Sequence, residues 1–192
     1  MNSKIKIIII HGNGGGWPKE NWLSPVAKQL KALSDIKVVF KQFPDAVLAR
    51  AKYWLPFIKE LGAVENTILV GHSSGAVAAM RYAEEHKILG TILVAACHTD
   101  LGEETEKASG YYDKPWKWGA IKKNQKWIVQ FSSVDDSFIP IKEARFVHNK
   151  LATEYYEFKH QGHFSSWDGK KDFSEIVDII TEKLKLKPNA GS

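Results

Sequence analysis

The chain has 192 residues, 44% of them hydrophobic and 26% charged, with a formal net charge of +5. This is the size and composition of one soluble domain with a single core, and it leaves no room for two full domains. Cys97 is the only cysteine, which excludes a disulfide framework and any multi-thiolate metal site and predicts a reducing, cytoplasmic setting.

The positive charge raises the question of an acidic partner such as nucleic acid. Arginine occurs only at Arg50, Arg81 and Arg145, and the lysines are scattered along the chain. Because this distribution is typical of solvated helix faces, we expect no nucleic-acid partner. The isoleucine run Ile7–Ile10 is too short for a signal peptide or a spanning helix, so we also expect no membrane association.

Six apolar segments rich in β-branched residues alternate with amphipathic segments. The apolar segments predict strands at Ile5–Ile10, Lys37–Phe40, Thr67–Val70, Thr91–Ala95, Trp127–Phe131 and Tyr155–Phe158. The amphipathic segments predict helices at Trp22–Leu33, Ala46–Leu61 (kinked at Pro56), Ser74–Glu85, Ile141–Leu151 and Phe173–Leu186. The alternation predicts an α/β fold, with an open, mostly parallel sheet of about six strands and helices on both faces.

One domain is predicted over residues 1–187, followed by a frayed tail at 188–192. Inside the domain, the segment His98–Lys126 is long, polar and rich in glycine. It predicts a loop or a small lid.

The sharpest chemical signal is the pattern Gly71-His72-Ser73-Ser74-Gly75. It follows a predicted strand and opens an alanine-rich helix, which is the context of a nucleophile elbow. The serine must occupy a strained turn, and the two glycines let strand and helix pass closely. Ser73 is therefore the candidate nucleophile.

A serine hydroxyl needs a general base, and in this fold class the acid and then the histidine follow the serine along the chain. His163 lies in a loop after the last predicted strand, between a glycine and a phenylalanine, which favours it over His160. For the acid, Asp135 and Asp136 both follow the fifth predicted strand, and either could orient the histidine.

The first predicted strand ends in His11-Gly12-Asn13-Gly14-Gly15-Gly16. Backbone N–H groups of Asn13 or Gly14, together with that of Ser74, are the candidate oxyanion hole. Such a loop also occurs in nucleotide-binding proteins, but Trp17 stands where the dinucleotide fingerprint needs its third glycine. Phosphate binding is therefore the minor interpretation.

The segments HGNGGGW, GHSSGAVAAMRYAE, ASGYYDKPWKW, SSVDDSFIP and GHF strongly resemble the retinoblastoma-binding protein 9 family of α/β-hydrolase serine hydrolases, which includes YdeN-like bacterial members. The likeness spans almost the whole chain. It implies a compact α/β-hydrolase without a large cap domain, with Ser73 as nucleophile and His163 as base. It also implies Asp136 as the acid, because the family's aspartate precedes a proline by four positions, here Pro140.

The family's best-known partner claim is binding to the retinoblastoma protein through an LxCxE motif. The nearest segment here, residues 61–65, reads LGAVE and has Ala63 in place of the cysteine. We therefore do not expect this interaction.

The prediction is a monomeric serine hydrolase that cleaves a small ester or amide and needs no metal or organic cofactor. Candidate walls of a narrow apolar substrate pocket are Trp17, Trp116, Phe138 and Phe164. The alternative is a non-enzymatic scaffold that keeps the fold and binds a protein partner.

Overall fold

The computed structural model describes residues 4–15 and 22–186. Within these ranges, strands and helices alternate as the sequence predicts. The strands are β1 (Ile5–Ile10), β2 (Ile36–Phe40), β3 (Thr67–His72), β4 (Gly90–Val94), β5 (Trp127–Ser133) and β6 (Glu154–Phe158). The helices are α1 (Leu23–Lys31), α2 (Ala51–Glu60), α3 (Ser74–Glu85), α4 (Glu104–Ser109), α5 (Trp118–Lys123), α6 (Ile141–Leu151) and α7 (Ser174–Lys183).

All six strands form one sheet in the order β2-β1-β3-β4-β5-β6, and every neighbouring pair is parallel. The central strands β3 and β4 are buried along their whole length, whereas the edge strands β2 and β6 are largely exposed or half-buried. Continuous burial explains why the central strands read as unbroken apolar runs. The predicted fold class is confirmed.

Helices cover both faces of the sheet. Helix α1 contacts α7, and a separate series of contacts joins α2 to α3, α3 to α5 and α5 to α6. Among the described residues, no helix is both long enough and apolar enough to cross a bilayer.

Two segments differ from the sequence prediction. Helix α2 begins at Ala51, five residues later than predicted, because Asp45 and Ala49 have positive φ and the Asp45 carboxylate accepts a hydrogen bond from the backbone N–H of Arg50 (3.0 Å). This side chain competes with helix formation before residue 50. The predicted loop or lid at His98–Lys126 contains the short helices α4 and α5. The tail predicted at 188–192 lies outside the described residues.

Close packing fixes the junction between β3 and α3. A Cβ atom on Gly71 would lie 2.4 Å from the carbonyl oxygen of Gly75, and one on Gly75 would lie 2.4 Å from the carbonyl oxygen of Ile10. Backbone atoms cannot move aside as a flexible side chain can. Both positions therefore require glycine for steric reasons.

We predict that Gly75→Ala lowers the free energy of unfolding by about 3 kcal/mol, because the new methyl group meets the backbone of β1. Gly119→Ala is the matched control: beyond its own helix and chain neighbours, no atom of the described residues lies within 4 Å of a Cβ at that position, so the substitution should be neutral or stabilise by about 0.5 to 1 kcal/mol. Urea unfolding followed by circular dichroism measures both. Equal stability of the two variants would contradict this account of the junction.

Candidate active site

Ser73 lies between the end of β3 and the first residue of α3, with φ of 54° and ψ of −122°. A non-glycine residue in this conformation is strained, and it persists only where the surroundings fix it. Here the N–H of Ser73 donates to the carbonyl oxygen of Val94 (2.9 Å), and its own carbonyl accepts from the N–H of Ala76 (2.8 Å). The partly exposed side chain faces a cavity. This is the geometry of a nucleophile elbow.

His163 and Asp136 form a largely buried pair. The ring Nδ1 of His163 lies 3.0 Å and 2.9 Å from the two carboxylate oxygens of Asp136. Only 11% of the His163 side chain and 3% of the Asp136 side chain are exposed. Because an ionised carboxylate can only accept hydrogen bonds, Nδ1 of His163 carries the proton in this arrangement. The other ring nitrogen, Nε2, is left as the basic nitrogen.

Backbone donors orient the Asp136 carboxylate. Its Oδ1 accepts from the N–H groups of Phe138 and Ile139, each at 2.9 Å. Together with Nδ1–H of His163, three donors therefore bind one carboxylate and fix its position.

Asp135 and His160, the alternatives that the sequence offered for the acid and the base, lie outside the His163–Asp136 pair. Asp135 Oδ1 accepts from the hydroxyl of Ser133 (2.5 Å) and the N–H of Gly162 (2.9 Å). These hydrogen bonds, above all the one from Ser133, hold the pKa of Asp135 below its usual value. His160 is an exposed side chain whose Nδ1 lies 3.9 Å from Asp135. Asp135 thus anchors the loop that carries His163, and it is Asp136 that contacts the imidazole.

Buried side chains fix the backbone of that loop. The Nε2–H of His72 donates to the carbonyl oxygen of His163 (2.8 Å), and the indole N–H of Trp22 donates to that of Phe164 (2.9 Å). The carboxylate of Asp168 accepts from the N–H of His163 (3.0 Å). The imidazole is therefore held through its main chain as well as through its ring.

One cavity of about 1000 Å³ contains both Ser73 and His163. The loop after β1 forms its near wall, since a Cβ on Gly12 would lie 3.2 Å from the Cβ of Ser73. Among the described residues, the Ser73 hydroxyl makes no hydrogen bond to His163, so the two groups share the cavity without that bond. In unliganded enzymes this bond is often long and tightens only with substrate present.

The candidate oxyanion donors flank Ser73. Ser74 is the first residue of α3, where a helix provides no internal acceptor for the N–H group. The N–H of Gly14 already donates to the carbonyl oxygen of Val47 (3.1 Å), whereas that of Asn13 has no acceptor among the described residues. Of the two alternatives for the second donor, the structure therefore favours Asn13.

Of the candidate pocket walls, only Phe138 lines the cavity within the described residues. Its ring is 61% exposed and lies 5.0 Å from that of His163. Phe164 is fully buried and stacks on Phe173, and Trp116 lies under the Arg81 guanidinium at 3.6 Å, so neither forms the wall expected of it. Trp17 lies outside the described residues.

The rest of the lining is more polar than the narrow apolar pocket expected from the sequence. Four carboxylates and a lysine contribute to it, together with an indole ring that is 89% exposed: Asp100, Glu103, Glu106, Glu143, Lys142 and Trp167. Most of these residues come from the segment predicted as a loop or lid or from the start of α6. Sequence reasoning passed over the acids because nothing in their local pattern distinguishes them from solvated charges.

Burial sets the properties of two lining residues, Glu143 and Cys97. Glu143 is buried, and its carboxylate accepts from the N–H groups of His98 and Thr99 (3.0 Å and 3.1 Å), which fixes the chain just after β4. Burial raises the pKa of Cys97 to about 12, so the thiol stays protonated at neutral pH and is a poor nucleophile.

Comparison with known proteins identifies the family. The family model described as serine hydrolase matches residues 7–182. The rat protein named serine hydrolase RBBP9 is 43% identical over 186 residues, which is 96% of this chain and 98% of that protein. The YdeN protein of Bacillus subtilis is 23% identical over 92% of this chain and 94% of that protein.

Solved structures agree on the fold. The crystal structure of the Bacillus subtilis ydeN gene product superposes with a TM-score of 0.84 at 23% identity, covering 94% of this chain and 99% of that one. MGS-MChE2, an α/β hydrolase enzyme from a lagoon-sediment metagenome, gives a TM-score of 0.66 at 15% identity, with 95% and 92% covered.

The parallel sheet and the elbow at Ser73 define an α/β-hydrolase. The family match over nearly the whole length shows that the chain belongs to the serine hydrolase family, as the resemblance implied.

The buried imidazole of His72, next to Ser73 in the chain, predicts a pH dependence of stability. Burial lowers the pKa of His72 from 6.5 to about 3 in the folded state, and the electrostatic interaction with the His163 ring acts in the same direction. Between these values the unfolded chain takes up a proton that the folded protein excludes. Acidification below pH 6.5 should therefore destabilise the protein by about 1.4 kcal/mol per pH unit through this residue.

His72→Gln should remove that component while keeping an N–H donor for the carbonyl oxygen of His163. Urea unfolding of both proteins between pH 4.5 and 7.5 measures it. The difference in unfolding free energy, wild type minus variant, should stay constant above pH 6.5 and fall below it. Parallel curves throughout this range would contradict a neutral buried His72.

Proposed function

We propose that the protein hydrolyses a small ester or amide through an acyl-enzyme intermediate on Ser73. The observation that carries this proposal is the contact of the Asp136 carboxylate with Nδ1 of His163 at 2.9 Å, where His163 lines the same cavity as the strained Ser73. Membership of the serine hydrolase family supports hydrolysis as the reaction. The name of one structural neighbour, an esterase domain from Rhodothermus marinus, supports ester chemistry in this fold.

In the first half-reaction, Oγ of Ser73 attacks the substrate carbonyl carbon while Nε2 of His163 takes the hydroxyl proton. The carbonyl π electrons move to oxygen, and the backbone N–H groups of Asn13 and Ser74 stabilise this oxyanion. The imidazolium then gives its proton to the leaving alcohol or amine as the bond to carbon breaks. Asp136 stabilises the imidazolium and keeps Nδ1 protonated throughout.

In the second half-reaction, water replaces the serine as the nucleophile. His163 removes a proton from the water, the acyl group leaves Ser73 as a carboxylic acid, and the histidine returns the proton to Oγ. Each proton has a donor and an acceptor within this chain or the substrate.

Ser73→Ala should abolish covalent labelling by a fluorophosphonate probe and reduce kcat for a small nitrophenyl ester on the order of 10⁴-fold or more, because the nucleophilic oxygen is lost. Gel fluorescence and steady-state kinetics measure the two effects. A folded wild type that neither reacts with the probe nor hydrolyses the ester would favour the non-enzymatic scaffold instead.

Asp136→Asn should reduce kcat on the order of 10⁴-fold, since an amide facing Nδ1 favours the wrong histidine tautomer. Asp135→Asn is the matched control: its side chain holds the loop but does not touch the ring, so its kcat should stay much closer to wild type. Initial-rate measurements at neutral pH compare the two variants. Equal losses would show that the acid has been assigned to the wrong aspartate.

A further inference from the structure

A hydrogen bond connects helix α4 to the loop after β1 across the wall of the cavity. The side-chain Nδ2–H of Asn13 donates to Oε1 of Glu106 at 2.7 Å, between residues 93 positions apart in the chain. Both residues line the cavity and are half-buried. The proposed mechanism assigns no role to Glu106.

A second contact holds the other oxygen of this carboxylate. The hydroxyl of Tyr112 donates to Oε2 of Glu106 at 3.3 Å, and the same hydroxyl lies 3.2 Å from Sγ of Cys97. Burial raises the pKa of Glu106, while its two hydrogen bonds act in the opposite direction. The carboxylate is therefore a fixed acceptor for Asn13 and not a freely moving surface charge.

Main-chain contacts fix the rest of the loop on both sides of Asn13. Nδ1–H of His11 donates to the carbonyl oxygen of Gly12 (2.6 Å), while its Nε2 accepts from the N–H of Phe43 (2.9 Å). After Asn13, the N–H groups of Gly14 and Gly15 donate to carbonyl oxygens of the segment before α2, each at 3.1 Å.

Within the part of the chain that the structure describes, the N–H of Asn13 has no acceptor. The carbonyl of the same Gly12–Asn13 peptide accepts from His11, and the next peptide is held through the N–H of Gly14. The side-chain bond to Glu106 adds the contact that ties Asn13 to helix α4 at the wall of the cavity.

We propose that Glu106 is a positioning residue for the oxyanion hole, which holds the Asn13 peptide in its productive orientation through the side-chain amide of Asn13. This inference rests on the proposed function. Loss of one oxyanion donor costs on the order of 10² to 10³ in kcat. Because the Asn13 N–H is displaced and not deleted when the restraint is lost, the expected loss is smaller, about 10- to 100-fold.

Kinetics of a small nitrophenyl ester test the role of the carboxylate. Glu106→Ala should lower kcat about 10- to 100-fold and change KM little, because the oxyanion forms only after substrate has bound. Glu106→Gln keeps an acceptor oxygen for Asn13 and should recover most of this loss. Glu104→Ala on the same helix is the control and should match wild type, since that side chain is 87% exposed.

A double-mutant cycle separates positioning from a general effect on the fold. Asn13→Ala keeps the backbone N–H but removes the contact, so it should reproduce the loss in Glu106→Ala, and the double variant should lose no more than either alone. Additive losses, or a change confined to KM, would overturn the proposal. If Glu106→Ala lowers the unfolding midpoint, Glu106→Gln is the variant that tests the proposal. A Glu106→Gln protein of wild-type stability that does not restore kcat would refute the positioning role of Glu106.

The Ser73→Ala protein, assayed in parallel, distinguishes a failure of the positioning role of Glu106 from a failure of the proposed function. Wild-type kcat in Glu106→Ala, with activity lost in Ser73→Ala, would refute the positioning role alone. Ester hydrolysis that survives in Ser73→Ala would refute the proposed function and this role with it.

Discussion

The site depends on how closely the turn at Ser73 packs against the end of β1. Gly71 and Gly75 let backbone meet backbone at this point, and the absence of a side chain at Gly12 leaves room beside the serine. The close packing of this turn against β1 accompanies the strained conformation of Ser73, and it also places the loop after β1 next to the Ser73 side chain. One steric condition therefore sets both the direction of the Ser73 side chain and the location of the candidate oxyanion donors.

The histidine side of the site is built on a different principle. Ser73 is held by strand and helix geometry, whereas His163 lies in a loop whose carbonyl and N–H groups are bound by side chains, most of them from distant parts of the chain. Two uncharged donors, His72 and Trp22, bind successive carbonyl oxygens of this loop, and carboxylates bind its N–H groups. A loop fixed in this way can present an imidazole with the precision usually expected of regular secondary structure.

Patterns local in sequence made much of the fold and part of the site predictable. Continuous apolar runs located every strand to within one or two residues, and the strand–turn–helix context singled out Ser73. Local sequence could not distinguish Asp135 from Asp136, because both follow β5. Only the tertiary structure shows which carboxylate reaches the His163 ring. Family resemblance pointed to Asp136, and the contact in the structure agrees with it.

The pocket walls were the least predictable part. Phe164 carries no local sign that it would turn into the aromatic core, and Glu106 reads like any glutamate on a polar helix until its partner 93 residues away is in place. Helix α2 shows the reverse failure. Its amphipathic pattern extends back to Ala46, but the Asp45 carboxylate bound to the N–H of Arg50 and the positive φ angles of Asp45 and Ala49 delay the start of the helix to Ala51. Contacts between distant segments decided the positions of Phe164 and Glu106, whereas a local side-chain bond and local backbone conformation decided the start of α2.

The sheltered sulfhydryl of Cys97 has a practical consequence for chemical probes. It borders the same cavity as Ser73, yet its neutral form resists alkylation, so a haloacetamide or maleimide has no reactive anion to capture there. Electrophiles delivered to this cavity consequently encounter little competition from sulfur, although Cys97 and Ser73 both line it. In this protein, burial provides the chemoselectivity that reagents must otherwise supply.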